Sequence, residues 1–275
     1  MSYSLTLHFF PSPRGVHWES PYALAKSVLI NTLTFGPRQI GHVSVQLEGP
    51  SDNIHAGMRA VDMNDNRKLI LLKHLGFGTF FMGTPGFLED RSLLEPEIER
   101  RQKNGHFSFL RFEISEASFL KTRQYLVEFR EKTGNKVYGF PFRPRHAEGG
   151  GCSAFAASVL EVAGLMNDEF KKNWSDRVRV PEFLIGSLEP PRRRVWLSQV
   201  LLPIRRNKRW AAPQEPGRDI EFWDPDMMHA WVLKRWQDLQ HFPIENETAV
   251  QEKNAKGILV QASKIVPTNE PIWLA

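Results

Sequence analysis

The sequence is poor in cysteine: 275 residues contain one, Cys152. No internal disulfide is possible, and a reducing compartment is the natural reading. No apolar run approaches the roughly 20 residues that a membrane span requires. The N-terminal segment lacks a basic stretch followed by an apolar one, and Pro11 and Pro13 come early. The expectation is therefore a cytoplasmic protein, or one exported without a classical signal peptide. Internal repeats and low-complexity tracts are absent. No Cys/His or Glu/His group has metal-ligand spacing, and Gly76-Phe77-Gly78 lacks the third glycine and acidic partner of a phosphate-binding loop. Neither a metal nor a cofactor is expected.

What the chain does have is enough apolar residue, 41%, to build a substantial core, with an ordinary 24% of charged residues. The net charge of +5 is unevenly spread. Lys171 to Trp210 holds eleven Lys/Arg against three Asp/Glu, a local +8, so the rest carries −3. Seven of the eight tryptophans lie beyond residue 170.

The hydropathy pattern predicts an α+β fold. Tyr3–Phe9 alternates as a strand does, and Pro21–Leu33 reads as a short helix. His42–Glu48 alternates strictly, with Val43, Val45 and Leu47 on one side and His42, Ser44 and Gln46 on the other. The turn Gly49–Asn53 then leads back through Ile54–Met58. Leu69–Gly86, rich in Gly and Phe, has no clear period. Phe107–Ile114 is a strand. Ser115 is placed to cap a helix over Glu116–Lys132, with Gly134 placed to close it. Cys152–Ala163 is nearly all apolar or small and predicts a buried helix ending at Gly164. Later, a helix near Asp226–Gln240 and a strand over Gly257–Val260 are expected.

Cys152 draws attention by position. A lone cysteine beside small residues is most often a small core hydrophobe. Here it opens the helix, where unpaired N–H groups and the helix dipole favour a thiolate. Gly149-Gly150-Gly151 precede it, and glycines leave room for a substrate backbone. A thiol nucleophile needs a base. Of the nine histidines, His42 stands at a strand start after Gly41, and His55 falls on the return strand, where it could orient the His42 ring. His146, close in sequence, is the reserve base.

The succession Gly41-His42-Val43-Ser44-Val45-Gln46-Leu47, the hairpin to His55, the strand and helix over 107–132, Tyr138 and Gly151-Cys152-Ser153-Ala154-Phe155 resembles the circularly permuted branch of the NlpC-type papain-like superfamily, which includes the lecithin:retinol acyltransferase group. The likeness spans about residues 38 to 165. It implies a permuted papain-like core with an antiparallel sheet packed on a Cys-bearing helix. It also implies a thioester mechanism with Cys152 as nucleophile, His42 as base and His55 as the polar residue on the next strand. Gly151 stands where many members have Asn. Two parts are expected: a catalytic domain over 1–190 and a basic, Trp-rich extension over 191–275 packed on it. The expected activity is a thiol-dependent peptidase or amidase acting on peptides or cell-wall peptides. An acyltransferase on lipids, or an inactive module that binds nucleic acid or an anionic membrane, are the alternatives. The interleaved Arg192-Arg193-Arg194 and Trp196, then Arg205-Arg206, Lys208-Arg209 and Trp210, suit an anionic polymer or membrane surface over 171–210.

Overall fold

The structure is a computed structural model that describes residues 2–35, 40–50, 52–62, 64–202 and 204–275. Ser51 in the expected hairpin turn, and residues 38 and 39 at the head of the span carrying the resemblance, lie outside the described residues. The fold is mixed α+β, built on an eight-stranded sheet.

The opening alternation forms β1 (Tyr3–Phe10), buried along most of its length. Leu5, Leu7 and Phe9 face one layer of the core, while Thr6, His8 and Phe10 face the other. β1 is central. It pairs antiparallel with β2 (His42–Glu48) on one side and with β5 (Ser108–Ile114) on the other. β3 (Asn53–Ala60) follows β2, then β4 (Thr84–Glu89) and the short β6 (Val137–Tyr138) complete that flank. Beyond β5 lie β10 (Ala255–Ala262) and β9 (Glu247–Glu252).

Two expectations need correction. The sheet is mixed, because β10 runs parallel to β5. The chain after residue 190 is also not laid over a finished domain. β10 sits inside the sheet, and Met228 and Val232 of α8 (Pro225–His241) join Leu5, Val45 and Phe155 in the largest core cluster. No local signal marks this. The partner of β10 lies far back in the sequence, and parallel strands always meet through long connections.

Against the Val43–Val45–Leu47 face lie α4 (Glu116–Glu131) and α5 (Cys152–Ala163). Ser115 caps α4 by accepting the Ser118 N–H. Its other end stops at Lys132 in extended backbone, and Gly134 falls in the 3-10 turn that follows. Ten of the twelve side chains of α5 are buried, as its apolar run requires. Gly164 ends it at φ 76°, and the Leu165 N–H returns to the Leu160 carbonyl at 2.8 Å. The Tyr125 and Ser158 hydroxyls, 2.8 Å apart, tie α4 to α5. On the opposite sheet face α3 (Arg91–Asn104) contributes only Leu94 and Ile98 to a small core with Phe10, Phe107 and Phe109.

The Gly/Phe-rich segment resolves into α2 (Asp65–Leu71), a 3-10 turn over Phe77–Phe81 and β4. It packs against a separate ribbon of β7 (Ser175–Pro181) and β8 (Gly217–Trp223). Phe77, Val180, Leu184, Val195 and Phe222 form this second core, with Trp18, Phe80 and Phe140 at its edge. α1 (Pro21–Phe35) lends Leu24 to it, and α7 (Leu197–Leu201) lends Val200. Much of the basic stretch is thereby paired. Arg177 and Arg179 hold Asp219, Arg193 holds Glu182, and Arg209 holds Glu215. α6 (Asp168–Trp174) buries Trp174 face to face with Phe170, with ring centroids 4.0 Å apart. No described helix is long and apolar enough to cross a membrane.

Candidate active site

Cys152 is the first residue of α5. Gly151 precedes it in extended backbone and provides no side-chain cap, and the Cys152 backbone N–H faces the Tyr138 hydroxyl. Cys152 is 4% exposed. It faces the start of β2, where the His42 ring and the Val43 N–H are close enough to act on its charge. Two hydroxyls lie near it. Tyr138 donates across 3.9 Å, and Ser153 Oγ is 3.8 Å away.

The strands part where the sulfur enters. β2 and β3 pair only from Glu48↔Asn53 to Val45↔Ala56. Beyond that, β2 continues along β1 as far as His42, while β3 continues along β4 to Ala60. His42 therefore sits at the mouth of a fork. Its ring stacks on Phe10 at 5.7 Å, and its side chain is 24% exposed.

The group that orients His42 is Glu89, at the end of β4. Its Oε2 lies 2.7 Å from His42 Nε2, although the ring N–H is poorly aligned on the oxygen, so the contact is best described as an ion pair. With Nε2 so engaged, Nδ1 is the nitrogen left for the sulfur. Arg59 Nη1 holds the other Glu89 oxygen at 3.0 Å, and the carboxylate is almost wholly buried. Gly57, opposite Glu89 in the strand pairing, makes room for this contact. A Cβ there would lie 3.1 Å from Glu89 Oε2 and 3.2 Å from His42 Nε2.

Electrostatics follow from this geometry. Burial alone lowers the His42 pKa, but the Cys152 thiolate and the Glu89 carboxylate outweigh it and hold the ring at about 10. Burial alone raises the Cys152 thiol, but the imidazolium charge, the His42 hydrogen bond and the Val43 N–H bring it below its ordinary value. Burial also pushes Glu89 up, yet His42 and Arg59 leave it lowered. The site thus draws a thiol down and an imidazole up in pKa, the direction that favours an ion pair between them, with a buried carboxylate behind the ring. Burial, with the thiolate charge beside it, keeps the Tyr138 hydroxyl protonated to well above 10.

The residues singled out from sequence separate here. Cys152 and His42 come together. His55 does not join them. It pairs with Gln46, further along β2, and lies buried beneath α3 near Glu95 and Arg91. Neither of its ring nitrogens has a hydrogen-bond partner among the described residues. The orienting position expected for His55 is filled by Glu89, one strand further out. His146, the reserve base, turns away, with Nδ1 2.9 Å from the Ala275 carbonyl. The glycine loop also differs from expectation. A Cβ at Gly149 would lie 2.5 Å from the Val137 carbonyl, and one at Gly150 would lie 2.7 Å from Pro144, so both serve internal packing. Only Gly151 faces open space, its nearest neighbour being the Gly139 carbonyl at 3.7 Å. Gly41, expected to free the His42 ring, instead admits Pro225 at the start of α8.

Glu89 and Tyr138 carry roles that the sequence reading did not give them. Leu88-Glu89-Asp90 closes a segment whose Pro85 and Gly86 argue against a strand, so nothing marked the carboxylate as inward-facing. A hollow of about 500 Å³ lies on another face of α5, against Ala154, Ala157 and Glu161, and Cys152 does not line it. Among the described residues, no cluster of His, Cys, Asp and Glu is arranged to hold a metal. No family model, curated protein or solved structure matches this chain.

Proposed function

We propose that the protein is a thiol-dependent hydrolase of amides or esters with a permuted papain-like core. The observation that carries this reading is the line Cys152–His42–Glu89–Arg59, buried at the cysteine and the carboxylate, in which a helix-start sulfur meets a histidine held by an ion-paired carboxylate. A structural cysteine needs none of these partners. A nucleophilic one needs a base, and the base needs an orienting group.

The thiolate attacks a substrate carbonyl, and a C–S bond forms as the carbonyl oxygen takes up charge. The Cys152 N–H and the Tyr138 hydroxyl, which face each other beside the sulfur, are the donors that would turn to that oxygen. His42 gives its proton to the leaving amine or alcohol as the substrate bond breaks, which leaves a thioester on Cys152. Water then loses a proton to His42 and attacks the thioester, and the acid departs as the thiolate and imidazolium are restored. Glu89 keeps the ring in place and the imidazolium favoured throughout, while Arg59 keeps Glu89 ionised. Substrates reach the sulfur from the open side of Gly151, alongside Tyr138.

The test is the reactivity of the single thiol. The native protein should be alkylated by iodoacetamide at about pH 6, and His42→Ala should slow that reaction at least tenfold. Incubation with a panel of activated acyl esters should leave an acyl mass adduct on native protein and none on Cys152→Ala. If the native thiol labels only near the ordinary value of about 8.5, with no change in His42→Ala, the proposal fails.

A further inference from the structure

Away from the sulfur, the second core presents a surface that is both apolar and basic. α2 ends in Leu71, which is followed by Leu72, and the two are 51% and 71% exposed. Lys73 and His74 come next. His74 turns the chain in the left-handed region at φ 56°, and its carbonyl accepts the Val195 N–H at 2.6 Å. Its ring lies on the indole of Trp196, with centroids 3.8 Å apart, and Trp196 is itself 51% exposed. The loop beside it is closed by Ser187 and Arg193, which exchange backbone hydrogen bonds of 3.0 and 3.2 Å. That loop holds Leu188 and Arg192 at the surface, and Arg194 follows.

The charges here differ from those of the ribbon. Arg177, Arg179, Arg193 and Arg209 are matched by carboxylates. Among the described residues, Lys73, Arg192 and Arg194 have no acidic partner, and the loop carries one carboxylate, Glu189. Leaving three leucines and a tryptophan in water is costly, and a contiguous exposed apolar surface marks an interaction site.

We propose that this face docks on an anionic lipid surface. Trp196 would sit at headgroup depth, Leu71, Leu72 and Leu188 would enter the acyl boundary, and Lys73, Arg192 and Arg194 would meet the phosphates. The same chemistry fits a nucleic acid less well. Aliphatic side chains have no partner on a phosphate backbone, and His74 already takes one of the two indole faces on which a base could stack. The proposal does not depend on the thiol chemistry, so Cys152→Ala should bind lipid as the native protein does.

The experiment is sedimentation of the full chain with vesicles of phosphatidylcholine, with and without about one third phosphatidylserine, beside anisotropy with a labelled single-stranded oligonucleotide. Native protein should sediment with the anionic vesicles only, and less so as salt rises. Arg192→Gln with Arg194→Gln should weaken binding about 30-fold, or about fivefold per charge. Leu72→Ser with Trp196→Ala should weaken it at least tenfold with an unchanged melting temperature, because both side chains are half exposed or more. Three results would overturn the proposal: native protein that stays in the supernatant with anionic vesicles, a Leu72→Ser/Trp196→Ala variant that sediments like the native protein, or tight oligonucleotide binding that these substitutions abolish while vesicles are ignored.

Discussion

Replacing Glu89 by Gln tests whether the carboxylate does what its position indicates. The amide keeps the shape of the side chain and removes its charge. At present Oε2 lies 2.7 Å from His42 Nε2 and Oε1 lies 3.0 Å from Arg59. An opposite charge within such reach moves a titrating group by about one to three pH units. Without it, His42 should fall from its value near 10, and the thiol, which leans on the imidazolium, should rise. The assay is the rate of iodoacetamide alkylation against pH. We expect the midpoint of the thiolate limb to move up by about one to two pH units, and the rate on that limb to fall about 10- to 100-fold. Stability should drop by no more than about 3 kcal/mol, since Gln still offers an acceptor to Arg59. His55→Gln serves as the comparison and should leave the profile in place. A Glu89→Gln profile that overlays the native one, while His42→Ala shifts it, would refute the assigned role of the carboxylate.

Two further outcomes rest on single positions. Gly57→Ala places a methyl group within 3.1 to 3.2 Å of both Glu89 and His42; it should reduce alkylation at about pH 6 at least tenfold with little change in melting temperature, and equal loss of both would point to general misfolding instead. His8 is buried and sits near the His55 and Arg111 charges, which together bring it down to about 3. As pH falls, the unfolded chain takes up this proton first, so the His8 contribution is complete above about pH 6.5 and is lost progressively towards pH 3, amounting to at most about 5 kcal/mol. Urea unfolding at several pH values should show that slope flattened in His8→Phe, which can pack on Phe107; parallel slopes would remove the assignment.

The parts of the site that could be read from sequence are those whose signal is local. The apolar run of α5, its terminal Gly164 and its first residue lie within thirteen positions of one another, and β2 announces itself by strict alternation behind His42. Glu89 was hidden because its strand contains Pro85 and Gly86, and because Asp90 next to it serves as the cap of α3. His55 was the wrong choice for a physical reason. It lies on the correct strand and the correct face, but the strands fork between Val45 and His42, which lets a carboxylate from β4 reach the ring across Gly57. That fork is a tertiary property. α3 was equally illegible, since a helix with charges on most sides and only two buried side chains has almost no hydropathy period.

The parallel seam between β5 and β10 has a consequence for how the molecule is made. β10 is synthesised long after β5, yet it covers one full edge of β5, and α8 before it covers the layer that holds β1. Until both arrive, β5 is an uncovered edge strand whose Leu110, Phe112 and Ile114 present an apolar face, the kind of template on which chains aggregate. Pairing across so long a stretch of chain is slow to nucleate. Chains shortened before residue 255 should therefore accumulate as insoluble material rather than as a smaller folded domain, and emergence of β10, not of the Cys152 helix, should set the moment at which the site around the thiol is complete.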